Sequence, residues 1–229
     1  MSSADVVVAD RPAEGVLRLL LNRPERRNAI DRALVDALLR ALDQPDCAAV
    51  VLGSTDAAAF CSGADVSLAD GERAEVSDLL YELYHRMVTL PAPIVVAVGG
   101  YAVGGGAQLA VAADVRIAGP DAVFRFPGPG HGLAVGAWAL PSLVGRGRAL
   151  DLCLTMRDVP AEEAHGIGLA DRLEADPLRA AVELAASFAR LVPDAAARVK
   201  RIAVEASGLL AALELERRAN RAWTGSLGG

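Results

Sequence analysis

The chain has 229 residues, a formal net charge of −6, a hydrophobic share of 53% and an aromatic share of only 4%. That length suits one substantial core, or a core with a small appendage, and the Ala-rich apolar content points to an α/β protein with closely packed helices. The acidic balance, with no basic block, argues against nucleic acid as a partner, and no apolar run approaches the roughly 20 residues of a membrane span.

Taken in order, Val6–Ala9 and Val16–Leu21 read as paired strands around the turn-like Arg11–Gly15. Asp31 suits the N-cap of a helix running to Leu42, with Leu34, Leu38 and Leu42 on one face. Ala48–Leu52 is a buried strand and Phe60–Asp65 the loop after it. A polar connection over Val66–Arg73 leads to a helix over Ala74–Leu90, which Pro91 and Pro93 terminate. Pro93–Val98 is a fully buried strand. It feeds, through Gly104-Gly105-Gly106, a helix over Ala107–Ala113.

Such a glycine-rich strand-to-helix turn leaves unpaired N–H groups at the positive end of the helix dipole, a place for developing negative charge. It equally suits close helix–strand packing, where only glycine fits. Asp114–Ala118 and Ala122–Phe126 are strand-like, and Pro127–Trp138 is a loop in which Leu133, Val135 and Trp138 can line a pocket. Helices are expected over Ala139–Thr155 and Ala161–His165. A last strand follows at Leu169–Leu173, then a helical tail from Leu178 to about Trp223, starting at Asp176-Pro177 and interrupted at Pro193 and Gly208.

Lys200 is the only lysine among 23 Lys and Arg residues, a pattern of bacterial coding bias. Cys47, Cys61 and Cys153 have no metal spacing and no disulfide framework. Together with a start, Met1–Asp5, that lacks signal-peptide character, they suggest a reducing cytoplasm and no metal.

Several segments together resemble the crotonase (enoyl-CoA hydratase/isomerase) superfamily. They are Asn22-Arg23-Pro24-Glu25-Arg26-Arg27-Asn28-Ala29-Ile30, Phe60-Cys61-Ser62-Gly63-Ala64-Asp65, Gly100–Gly106, Ala113–Ala118, Leu143–Leu150 and Ala161–Ala170, in the family's order. The resemblance implies an α/β spiral core of repeated β-β-α units over 1–177. It also implies a shortened helical segment over 178–229 that forms trimers or pairs of trimers. It implies a coenzyme A thioester as ligand, with no prosthetic group. The Ala64 and Gly105 N–H groups would hold the thioester oxygen, and Arg23, Arg26, Arg27, Ser62 and Asp65 would lie by the CoA moiety. Leu133, Trp138 and His131 would border the acyl group.

Family hydratases use two glutamates, and here their places fall on Gln108 and Gly128. Glutamine is neutral at any working pH, and glycine has no side chain. No glutamate occurs between Glu82 and Glu162, and each acid–base group supplies about 10²–10⁴-fold. The chain therefore resembles the subset that lacks both acids and is associated with binding acyl-CoA rather than hydrating it. Two other readings stay open. One is an isomerase or hydrolase using Gln108 or His131, since an unperturbed histidine titrates near pH 6.5. The other is a structural subunit without ligand. Asp114 looks structural, and Cys61 lacks a base and suits a packing role.

Overall fold

The computed structural model describes residues 5–226, apart from Gln44 and the Pro193 side chain. Met1–Ala4, which entered the signal-peptide reading, and the closing Leu227–Gly229 lie outside the described residues. The chain opens with β1 (Val7–Ala13) and β2 (Val16–Leu21), an antiparallel pair whose register slips between Asp10 and Ala13. The first strand thus runs four residues beyond its expected end, and only Glu14-Gly15 make the turn. Helix α1 (Arg32–Ala41) starts where expected, because the Asp31 carboxylate accepts from the Leu34 N–H at 2.9 Å and satisfies an orphan donor of the first turn.

The next units repeat one pattern: a long strand, a short strand, then a helix. They are β3 (Ala49–Ser54), β4 (Ala59–Cys61) and α2 (Asp70–Thr89), then β5 (Ile94–Val98), β6 (Tyr101–Val103) and α3 (Gly105–Val111). β7 (Val115–Ala118) and β8 (Val123–Arg125) continue it. The long strands join β1, β2 and the late β10 (Arg172–Leu173) in a six-stranded sheet ordered β1-β2-β3-β5-β7-β10. The short ones pair with β9 (Val159–Pro160) as β4-β6-β8-β9. Each turn of the chain therefore steps from the large sheet to the small one, and the fold is the expected α/β spiral.

β5 lies between parallel neighbours β3 and β7, and all five of its residues are buried. That position explains its unbroken β-branched run.

Four expectations need correction. Helix α2 begins at Asp70 rather than Ala74, because Arg73 is a buried helical residue and not part of a solvated link. Its guanidinium donates to the carbonyls of Val66 (2.9 Å), Leu68 (2.8 Å) and Gly225 (2.7 Å). Helix α3 begins at Gly105, two residues early, and a separate strand, β6, precedes it. The helix expected over Ala139–Thr155 is two, α4 (Leu140–Val144) and α5 (Arg146–Thr155), split by Gly145 at φ +81°. Of the strand expected at Leu169–Leu173, only Arg172–Leu173 pairs with β7.

Helix α6 (Ala161–Gly166) leads on to three closing helices: α7 (Pro177–Ala189), α8 (Pro193–Ser207) and α9 (Leu209–Asn220). The Asp176 carboxylate caps α7 through the Arg179 N–H. α7 packs Ala181 and Ala185 against Val51, Val95 and Ile117 of the large sheet. α8 is tied down by Lys200, whose buried Nζ meets Asp114 Oδ2 at 2.7 Å and the Met87 carbonyl at 3.0 Å. Asp114 also accepts from the Ile94 N–H, so its expected structural role holds.

α9 folds back onto its own core, with Leu213 buried and Leu209 and Leu210 packed beside it. Of its four leucines, Leu215 alone stays exposed. Leu191, Val192, Val199 and Ile202 form a further exposed apolar group around the α7–α8 turn, and Leu150 and Leu154 are exposed on α5. No helix among the described residues is long and apolar enough to cross a membrane.

Candidate functional site

Two loops at the ends of strands meet at the predicted donors. The loop after β4 is pinned to the stretch after β2: the Ile30 N–H donates to the Gly63 carbonyl at 2.7 Å, and the Asp65 N–H donates to the Ile30 carbonyl at 2.9 Å. That bridge skips Ala64. Neither the Ala64 N–H nor the Gly105 N–H has an acceptor among the described residues, and both residues are half-buried.

Glycines let the loops approach. A Cβ on Gly106 would stand 2.3 Å from the Cys61 carbonyl, and Gly104, the residue before α3, takes φ +54°. Both readings of the triplet thus apply at once: Gly106 is there for packing, and Gly105 presents a free amide. Gly63 (φ +90°) completes the approach: a Cβ there would stand 2.8 Å from the Val103 carbonyl, and the Gly105 nitrogen lies just beyond, at 3.7 Å. Ile30 and Leu80 give Gly105 apolar neighbours, and the Tyr84 hydroxyl donates to its carbonyl at 3.1 Å.

Gln108 lies one turn along α3, buried. Its Oε1 accepts from Trp138 Nε1 at 2.7 Å and from the Gly136 N–H at 3.2 Å. The Trp138 ring stacks on Tyr84, with centroids 6.1 Å apart and planes 21° from parallel. Tyr84 thus touches both Gly105 and Trp138, and Trp138 in turn touches Gln108. Gly128 is buried in a 3-10 turn over Gly128–His131 without a positive φ. What excludes a side chain there is space: a Cβ would stand 2.4 Å from Val135 Cγ2 and 2.7 Å from the Leu133 carbonyl. Leu133 is half-buried against the core, and its N–H closes the turn onto the Gly128 carbonyl. His131 is partly buried, and its Nδ1 has no partner among the described residues.

The candidate CoA-binding residues divide by their bonding. Arg23 is committed to structure, with its guanidinium at 2.9 Å from Asp31, at 3.5 Å from Asp65 and on the Ala29 carbonyl. Arg26 and Arg27 are exposed and form no ion pair among the described residues. Ser62 holds this loop, its N–H donating to the Arg27 carbonyl at 3.0 Å. Asp65 is buried, and its carboxyl sits below the usual range. Burial opposes that shift, but the Ser67 hydroxyl and amide and the Arg23 and Arg26 charges outweigh it. Cys61 is fully buried with its thiol pushed up to about 12 by desolvation, which leaves it no nucleophilic role at neutral pH.

Two residues of the site escaped the sequence reading. Asn28, in the left-handed region at φ +53° and fully buried, accepts from the Arg23 N–H at 2.7 Å. It donates to Ser54 Oγ at 2.7 Å and to the Phe60 carbonyl at 3.0 Å. It thereby fastens the arginine loop to β4. Glu216 of α9 is buried against the far side of Trp138: it accepts from the Trp138 N–H at 2.9 Å and from the Tyr81 hydroxyl at 3.1 Å.

A parallel-stranded spiral with paired free amides at its loop ends defines a class, and comparison gives the family. Residues 11–224 match the enoyl-CoA hydratase/isomerase family model, and the chain belongs to that family, within the crotonase superfamily. It is 42% identical over 196 residues to a protein from Mycobacterium bovis named probable enoyl-CoA hydratase echA6, covering 83% of this chain and 79% of that one. Among solved structures, it resembles an enoyl-CoA hydratase/isomerase from Xanthobacter autotrophicus, with TM-score 0.84 and 29% identity over 97% of this chain and 90% of that one. It also resembles a monofunctional enoyl-CoA isomerase from Mycobacterium smegmatis, with TM-score 0.77 and 32% identity over 92% and 99%.

Proposed function

We propose that this protein binds an acyl-CoA thioester and does not hydrate enoyl-CoA. The observation that carries the reading is the contrast between the two halves of the site. The Ala64 and Gly105 amides are free and held by a fixed backbone, as a preorganised oxyanion site requires. The proton-transfer half is filled instead with neutral, hydrogen-bonded or absent side chains at 108 and 128.

In this reading Arg26 and Arg27 meet the CoA phosphates by charge-assisted hydrogen bonds, with Arg23, Asp65, Ser62 and Asn28 supporting their loop. Trp138 and Leu133 border the acyl chain. The protein works in the cytoplasm as a trimer or a pair of trimers. A second reading, a family isomerase or hydrolase, is favoured by one observation, the unpartnered Nδ1 of His131 beside the place of the second acid.

Calorimetric titration with dodecanoyl-CoA, run beside a spectrophotometric hydration assay with crotonyl-CoA, tests the proposal. Saturable binding with negligible hydration is expected. Robust turnover of crotonyl-CoA overturns it in favour of the enzyme.

A further inference from the structure

Among the described residues, Glu216 is the one buried carboxylate with no cation beside it. Its side chain is 4% exposed, and no arginine or lysine pairs with it among the described residues. Its partners come from two elements. Tyr81 of α2 donates its hydroxyl, and the loop before α4 donates the Trp138 N–H, with the Gly136 and Ala137 amides adding to the favourable field. Asn220, one turn further along α9, extends the same seam. Its Nδ2 donates to the Tyr81 hydroxyl at 2.6 Å and to the Ala134 carbonyl at 2.7 Å, and its Oδ1 accepts from the Ala134 N–H at 2.9 Å. The loop 134–138 is therefore laced to α9 along its length. On its other side, the Trp138 indole and the Gly136 amide close on Gln108.

We propose that Glu216 is a positioning residue for the acyl site, acting through the 134–138 loop to set the Trp138 indole over Gln108 and beside Tyr84. This inference rests on the acyl-CoA reading for its ligand, but not for its geometry. An ionised carboxylate receives the loop amides and the hydroxyl together. A protonated one must turn an O–H toward some neighbour and loses part of that hold.

Burial pushes the Glu216 carboxyl up to about 7, with the Trp138 amide and the Tyr81 hydroxyl opposing the shift. The titratable groups facing it are Tyr81 and Tyr84 of α2 and Cys153 of α5, all held neutral by burial. The neighbouring Arg217 of α9 is engaged with Asp78 and Glu82. The loop should thus loosen as pH falls through about 7, and acyl affinity should fall with it.

The test uses the full chain carrying Trp223→Phe, so that emission reports Trp138 alone. Without ligand, the emission is expected to shift between pH 5.5 and 8.5 with a midpoint near 7. Glu216→Gln should pin it to the acid form at every pH. Dodecanoyl-CoA should bind Glu216→Gln about five- to tenfold more weakly at pH 8, the loss of one charge-assisted hold, while free CoA binds as before. Tyr81→Phe, which removes one hydrogen bond to the charged form, should move the midpoint upward and keeps the proposal testable if Glu216→Gln does not fold. A transition that persists in Glu216→Gln, an unmoved midpoint in Tyr81→Phe, or equal losses of CoA and dodecanoyl-CoA affinity would each overturn the proposal. If dodecanoyl-CoA fails to bind the parent while the pH transition behaves as expected, the ligand reading fails and the positioning geometry stands.

Discussion

Restoring the first acid is the sharpest perturbation of the proposed site. In Gln108→Glu the new carboxyl inherits the Trp138 indole N–H and the Gly136 amide as donors, in a position 4% exposed. Glu216, equally buried on the other side of the same loop, gauges the cost: its carboxyl moves from 4.5 to about 7. At 1.36 kcal/mol per pKa unit, holding such a group ionised costs on the order of 3 kcal/mol.

The sign follows from proton binding. A carboxyl raised in the folded state binds protons better there than in the unfolded chain, so its contribution is favourable at low pH and is lost as pH climbs toward the folded value. The second carboxylate sits across the loop from the first, and each raises the other further. Gln108→Glu should therefore match the parent closely at pH 5 and fall below it at pH 8 by about 6–12 °C in melting temperature, taking 2–4 °C per kcal/mol for a domain of this size. One carboxylate also cannot serve both proton steps, so crotonyl-CoA hydration should stay negligible. Melting curves at the two pH values, with the hydration assay alongside, check both parts. An equal melting gap at pH 5 and pH 8 refutes the burial argument. Turnover comparable with a family hydratase assayed in parallel refutes the binding-protein reading and makes His131 the second acid.

Two further outcomes test the packing. Gly128→Ala should lose about 1–3 kcal/mol in urea unfolding, because the methyl group would collide with Val135 and the Leu133 carbonyl in a filled turn. An unchanged midpoint would show that the turn yields freely. Lys200→Met should cost about 3 kcal/mol by leaving the half-buried Asp114 carboxylate without its cation. Pairing it with Asp114→Asn should recover part of that loss, whereas a double variant no better than the single one would place the whole effect elsewhere.

Much of this arrangement was legible because it depends on local patterns. The β-branched run Ile94–Val98 marks a strand buried on both faces, Asp31 caps a helix three residues before the amide it receives, and the glycines at 63 and 104–106 mark where backbones approach. The start of α2 departs from the sequence reading because a charged residue is buried there. Arg73 looks like part of a polar link in sequence, and only three backbone carbonyls, one of them from Gly225, reveal why it is inside. A glycine at 128 answers equally to a filled space or a positive φ in sequence, and only the structure shows that space decides. Glu216 was missed because its partners lie 78 to 135 residues away. A signal was nonetheless present: Leu209, Leu213, Glu216 and Asn220 recur at helical spacing, which places two polar side chains on the stripe that α9 buries. A polar residue on an apolar stripe needs a partner, and that requirement alone points to a hydrogen-bonded network under the last helix.

The absence of acids at 108 and 128 is better understood as one structural change than as two independent losses. Val135 and the Leu133 carbonyl fill the space a side chain at 128 would need, while Gly136 and Trp138 of the same loop donate to the side-chain oxygen of Gln108. Opening room for a carboxylate at 128 would move the loop and strip Gln108 of its donors. Keeping those donors in place leaves no room at 128. The loop is fixed in turn from behind, by Glu216 and Asn220 of α9. The Ala64 and Gly105 amides touch this loop only indirectly, through the Tyr84 hydroxyl on the Gly105 carbonyl and the Tyr84 ring against Trp138. They are set by the Ile30 bridge, by Gly63 and by the turn into α3. Free amides at Ala64 and Gly105 therefore coexist with a loop that leaves no room for an acid at 128, and that combination is why we propose binding rather than hydration.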